Sequence, residues 1–207
     1  MSRRNKLIGN FFSPPTLNSS LTPSLSPQCL IDEKDLEWSY KDQEIGKGAY
    51  GSIFKGKFKE SIVAIKVYTL DNVSLPYNQR MLINLVVELK KLNHENVVKC
   101  HGLCPRKGAI IMELAEKKIE LGDDVFNIHS LRQLISTVET VLPLELLKES
   151  LYQIAKGLAY LHCQNVIHGD LKSSNVLVTG KTPEEYRFIL TDFGQPHQEL
   201  TLTSMFS

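Results

Sequence analysis

His168-Gly169-Asp170-Leu171-Lys172-Ser173-Ser174-Asn175, with Asp192-Phe193-Gly194 downstream, is the stretch on which the reading of this 207-residue chain turns. Its residue types and spacing fit phosphoryl transfer. Asp170 would orient the proton of an attacking hydroxyl. Lys172 would neutralise charge on the moving phosphoryl group. Asn175 and Asp192 would supply oxygen ligands to Mg2+. Taken singly, an Asp or Asn of this kind more often caps a loop. The four together, in this order, make loop capping a poor explanation.

Working outward, two upstream segments complete the pattern. Gly46-Lys47-Gly48-Ala49-Tyr50-Gly51-Ser52-Ile53 is a glycine-rich hairpin. Its glycines let the backbone close over phosphates and offer N–H donors, with Lys47 and Ile53 part of the same flap. A β-rich segment follows instead of a helix, which argues against a dinucleotide fingerprint. Val63-Ala64-Ile65-Lys66 comes next, with Lys66 inside an apolar run and placed to reach nucleotide phosphates.

The rest of the chain fits around these motifs. Hydrophobic residues make up 42% of it and the net charge is +1, so composition suits a real core and nominates neither nucleic acid nor a membrane surface. No apolar run approaches the roughly 20 residues of a membrane span. Four scattered cysteines, Cys29, Cys100, Cys104 and Cys163, do not make a disulfide framework, and no second ligand pair follows Cys100 and Cys104 at zinc spacing. They point to a reducing, intracellular, cytoplasmic setting. Residues 1 to about 34, with Ser13-Pro14, Thr22-Pro23 and Ser26-Pro27, read as a disordered Ser/Pro-rich tail.

Order is expected from about Leu36. Strands are read at 41–46, 51–57, 61–68, 97–103 and 109–112, five around one helix opened by Pro76. Leu82, Leu85, Val86, Leu89 and Leu92 form that helix's apolar stripe. The second half reads as helical. A short helix is expected at 131–135 and a long one behind Pro143, with Leu147, Leu151, Ile154, Leu158 and Leu161 as its stripe. Short strands follow at 176–178 and 188–190.

The motifs GKGAYG, VAIK, HGDLKSSN and DFG resemble a eukaryotic protein kinase domain from about Trp38 to Gly194. The phrases IMELA, HENVVKCHGLC and DLKSSN are similar to the tyrosine-kinase-like group of serine/threonine kinases. The resemblance implies an α+β, bilobal fold, with a β-rich small lobe of about 35–112 and a partial helical large lobe of about 116–207. It implies ATP and Mg2+ as cofactors and a protein as substrate. It also makes Met112 the gatekeeper and Glu113 to Ala115 the hinge that bonds adenine, with Ala64 and Leu177 sandwiching the ring. The oligomeric state is not legible.

Four departures from the family pattern stand out. Gly169 occupies the usual place of an arginine that pairs with an activation-loop phosphate. Leu85 occupies the place of the helix glutamate that should pair with Lys66, and Glu88 reaches Lys66 only if the helix shifts by one turn, about 5 Å. An extra segment, about 116–129, holds Glu120, Asp123 and Asp124 and reads as a surface loop, with an acidic lid as the alternative. Finally, the family continues well beyond DFG while this chain ends at Ser207, so it is read as truncated. The rival to an active enzyme is therefore a catalytically impaired, pseudokinase-like nucleotide-binding or interaction module.

Overall fold

Ser-Ile-Val-Ala-Ile-Lys-Val-Tyr is rich in β-branched residues that pack well on a pleated surface, and it forms a central strand of the sheet. The computed structural model describes residues 29–38, 44–48, 51–68, 76–121, 124–137 and 143–193, with backbone alone at 48, 76–81, 119–121, 124–126 and 184. Among the described residues the first half builds a six-stranded sheet. Its strands are β1 (Leu36–Glu37), β2 (Glu44–Gly48), β3 (Gly51–Phe58), β4 (Ser61–Tyr68), β5 (Cys100–Cys104) and β6 (Ala109–Glu113). The order is β1-β3-β4-β6-β5, with β2 also paired to β3, and every pairing is antiparallel.

Register decides what each face does. Directly opposed residues of an antiparallel pair share a face. Phe54 lies opposite Ile65, and Ile65 opposite Ile111. With Val63, Val67, Ala109 and Cys104 they form a core on one side of the sheet, closed by Ile31, Leu36, Trp38 and Phe58. Ile53 lies opposite Lys66, Lys55 opposite Ala64, and Ala64 opposite Met112. This second face turns toward the rest of the molecule.

α1 (Pro76–Lys91) packs against β5 on that second face. Leu82, Leu85, Val86 and Leu89 are buried, as is Leu92 just beyond the helix. Fully burying such a side chain stabilises the fold by about 1.5–3 kcal/mol. Lys90 and Lys91 lie in the last turn, where positive charge suits the helix dipole.

Beyond β6 the chain forms a hairpin, β7 (Lys117–Leu121) with β8 (Asp124–Ile128), then α2 (Leu131–Thr137) and α3 (Leu144–Cys163). A second two-stranded sheet follows, β9 (Val176–Thr179) with β10 (Arg187–Leu190), Leu177 opposite Ile189. Two backbone hydrogen bonds of 2.9 Å join the halves: Val98 N donates to Leu190 O, and Leu190 N to Asn96 O. One apolar cluster runs from Leu82 and Val86 through Val98 to Leu161, Val178 and Phe188. The fold is a partial bilobal one, a β-rich small lobe on a helical large lobe.

Several expectations need correction. The segment 116–129 is not a plain surface loop: its two strands pair in continuous register, with Lys117 and Ile128 buried at the end away from the turn. The side chains of Glu120, Asp123 and Asp124 lie outside the described residues, as do the tail 1–28, Ala49, Tyr50 and Gly194. Order begins before residue 35, because Cys29 and Ile31 are buried and Ile31 N donates to Leu103 O at 2.8 Å. The fifth strand starts at Cys100; Val97 instead bridges to Leu190. The stripe on α3 holds at Leu161 and fails at Leu151, which is 66% exposed. That helix turns Ser150, Gln153 and Gly157 inward, because Asn96 and Leu190 approach it there.

Candidate active site

Gly46 and Gly48 sit on β2, and Gly48 pairs with Gly51 at the start of β3. Gly51 is the glycine the hairpin cannot replace. Its φ is 155°, and a Cβ built there would lie 1.8 Å from Val67 O. Lys47, opposite Ser52, is exposed. Below the hairpin, Ile53, Ala64, Lys66 and Met112 share the inward face of the sheet through their register.

Lys66 is buried, and its Nζ lies 2.7 Å from Asp192 Oδ1. A cavity under β4 is lined by both, together with Leu85, Leu89, Met112 and Phe193. Leu85 therefore faces the ammonium it was expected to face, and it brings no charge. Glu88 does not take its place: it is exposed, and its Oε1 meets Lys91 Nζ at 2.7 Å. Helix register thus puts Leu85, and not Glu88, at the cavity that Lys66 lines. Asp192 has a left-handed backbone, φ 60°, an uncommon conformation for a residue with a Cβ.

The large lobe supplies the other cluster. Asp170 Oδ2 accepts from Lys172 Nζ at 2.6 Å and from Asn175 Nδ2 at 3.0 Å; the same Nδ2 also donates to Asp170 O at 2.9 Å. The bond from Lys172, first among the causes, holds the Asp170 carboxyl below its ordinary pKa. His168 is buried, its Nδ1 accepts from Asp170 N at 3.4 Å, and burial lowers its pKa, which favours the neutral ring. Its ring meets Phe193 edge-on at 6.0 Å. Gly169, between His168 and Asp170 in sequence, has φ 74°.

These clusters are one neighbourhood. Thr191 N donates to Asn175 O at 3.0 Å, which places Asp192 one residue from Asn175's main chain. With its amide nitrogen engaged by Asp170, Asn175 keeps its amide oxygen as an acceptor. That oxygen and the Asp192 carboxylate are hard donors of the type Mg2+ takes, usually two protein ligands completed by phosphates and water. Among the described residues no three His, Cys, Asp or Glu side chains come together as a metal cluster.

The hinge segment is positioned by side chains that the sequence reading missed. Glu113 N donates to Lys99 O at 2.9 Å. The Glu113 carboxylate accepts from Lys99 N at 2.8 Å and Arg187 Nη2 at 2.6 Å, so it points to the large lobe and leaves only main-chain groups for a ligand. Ala115 is buried, and its carbonyl lies 3.1 Å from His129 Nδ1. Leu177, partly buried on β9, belongs to the large lobe, while Ala64 belongs to the small one. Lys55 and Glu116 form an ion pair across 61 residues of sequence, and no local pattern announces it.

Comparison with known proteins bears on the family. The family model described as protein kinase domain matches residues 40–203. The MAP3K epsilon protein kinase 1 of Arabidopsis thaliana is 36% identical over 73% of this chain and 10% of its own length. The protein-tyrosine kinase 6 of Homo sapiens is 32% identical over 68% of this chain and 29% of its own. A probable serine/threonine-protein kinase of Dictyostelium discoideum is 30% identical over 88% of this chain and 27% of its own. The chain thus spans less than a third of the length of these three relatives. No helix among the described residues is long and apolar enough to cross a membrane.

Proposed function

This chain belongs to the protein kinase domain family, and on that premise we propose that it transfers the γ-phosphoryl group of Mg-ATP to a serine or threonine hydroxyl of a protein. The observation that carries the reading is the Asp170 carboxylate, held by Lys172 and Asn175 together, with the Lys172 hydrogen bond lowering its pKa further. An ionised, fixed carboxylate can hold a substrate hydroxyl and take its proton. Lys172, 55% exposed, would offer positive charge to the moving group. Lys66 would do the same for phosphates beneath the glycine hairpin. Asn175 and Asp192 would hold Mg2+, which supplies charge neutralisation to the phosphate oxygens. The adenine would bond main-chain groups of Glu113 to Ala115, between Ala64 and Leu177.

Serine/threonine preference rests on the Asp170-Leu171-Lys172 order, and membership of the tyrosine-kinase-like group on the phrases IMELA and DLKSSN. The domain would begin by Cys29 instead of 35, behind the Ser/Pro-rich tail, and its lobes would divide at 112–116. The four cysteines are unpaired, in keeping with a cytoplasmic setting. The test is transfer of labelled phosphate from γ-labelled ATP to a general protein acceptor such as casein. The wild-type chain labels it and Asp170→Asn does not; equal labelling by both would sink the assignment.

One observation favours a second reading, a nucleotide-binding module without transfer. Lys66 is paired with Asp192, a proposed metal ligand, beside Leu85. Nucleotide binding measured by calorimetry without any labelling of acceptor would select that reading.

A further inference from the structure

Two features of the hinge exit combine. First, register places Lys55 on the inward face of β3, beside Ala64 and two residues from Ile53, so its side chain leaves the flap on the nucleotide side. Second, Lys55 Nζ reaches Glu116 Oε2 at 2.5 Å, where the chain has just left the hinge. Glu116 is largely shielded, its side chain 15% exposed.

Glu116 is also a fixed anchor. The next residue, Lys117, is buried, and its Nζ donates to Lys181 O at 3.0 Å and lies 4.2 Å from the centre of the Tyr186 ring. The extra hairpin begins there and ends at Ile128, and the ring of the next residue, His129, returns to Ala115 O. The hinge exit is therefore tied down to the large lobe at Lys117, while Glu116 ties it up to the strand that carries Gly51.

We propose that the Lys55–Glu116 ion pair is a latch on the glycine hairpin, closing the outer mouth of the nucleotide cleft and slowing nucleotide release. Lys55 and Glu116 are positioning residues in this role, and the proposal rests on the nucleotide-binding reading above. The latch must part as the flap lifts, so release becomes sensitive to charge and to salt.

The test uses the full chain, with Lys55→Met, Glu116→Gln and the charge-exchanged pair Lys55→Glu/Glu116→Lys. Release of a fluorescent (mant) ATP is followed by stopped flow, and amide hydrogen exchange of Gly51–Phe58 is followed without nucleotide. Each single variant should release about three- to fivefold faster, as fits a partly exposed ion pair, and should exchange faster over that strand. The charge-exchanged pair should recover both, and added salt should speed release from the wild type and the exchanged pair but not from the single variants. Unchanged release and exchange in the single variants, or no recovery in the exchanged pair, overturns the latch. If the wild type holds no mant-ATP, the nucleotide reading falls and the exchange arm alone decides. Faster exchange in the singles with recovery in the pair then upholds the latch on the hairpin, and unchanged exchange overturns it.

Discussion

Lys66 Nζ and Asp192 Oδ1 stand 2.7 Å apart, with the Leu85 side chain lining the same cavity. One carboxylate is thereby asked to serve two cations. It orders the Lys66 ammonium, and it is a proposed ligand of Mg2+. Ion pairing at a buried site is costly to break, so the metal and Lys66 compete for Asp192.

Leu85→Glu should ease that competition. A carboxylate at this buried position would meet Lys66 and free Asp192. The Mg2+ concentration at half-saturation of ATP-induced thermal stabilisation should fall by on the order of tenfold, the factor that 1.4 kcal/mol provides. Leu85→Gln, similar in shape and uncharged, should not shift it. An unchanged midpoint in Leu85→Glu would show that Lys66 does not compete for Asp192.

Lys172 sets the protonation of Asp170, and the sign can be worked out. The folded-state pKa of Asp170 is lowered from 3.8 chiefly by the Lys172 hydrogen bond. Any stability this confers is present above that unfolded value and lost as pH falls through the lower folded one. Asp170 is 56% exposed, so the stability effect is small and the rate is the better readout. In Lys172→Met the acid limb of the pH–rate profile should move to higher pH. An acid limb unmoved in that variant would mean that Asp170 is not the group being titrated.

Gly169 is a backbone requirement as well as a lost arginine. At φ 74° a Cβ is disfavoured by about 1 kcal/mol. Gly169→Ala should lower Tm by about 2–4 °C in a chain of this size. A rise in Tm, as expected for glycine replaced at an ordinary φ, would contradict the left-handed geometry next to Asp170.

Much of this architecture is legible because it is locally encoded. β4 announces itself through Val63, Ile65 and Val67, and α1 through a stripe in which all five expected positions are buried. Asp170 and Asn175 share a loop of six residues, so spacing alone brings them together. The hairpin β7–β8 was missed because Lys117, Lys118, Glu120 and Asp124 make poor strand formers, and its order comes from Lys117 docking on distant carbonyls. The pairs Lys55–Glu116 and Glu113–Arg187 span 61 and 74 residues, a separation at which sequence pattern carries no signal. Leu151 misled because its periodicity matches Leu147 and Ile154, whereas the face that packs is set by Asn96 beside Gly157.

Asn96 itself joins the lobes through its side chain. It is 1% exposed, and its Nδ2 donates to Gln153 Oε1 and to Phe188 O, both at 2.9 Å. Gln153 Oε1 in turn accepts from Phe188 N, so three elements share one small network. Asn96→Ala deletes the donor and leaves the Phe188 carbonyl short of a buried partner, which costs about 1–3 kcal/mol. Denaturant unfolding should report that loss. Gln153→Ala should cost less than the two effects would suggest once Asn96 is already gone, with a coupling of about 0.5–3 kcal/mol, because the variants remove members of one network. Strict additivity in the double-mutant cycle would mean that Asn96 acts through packing and not through these hydrogen bonds.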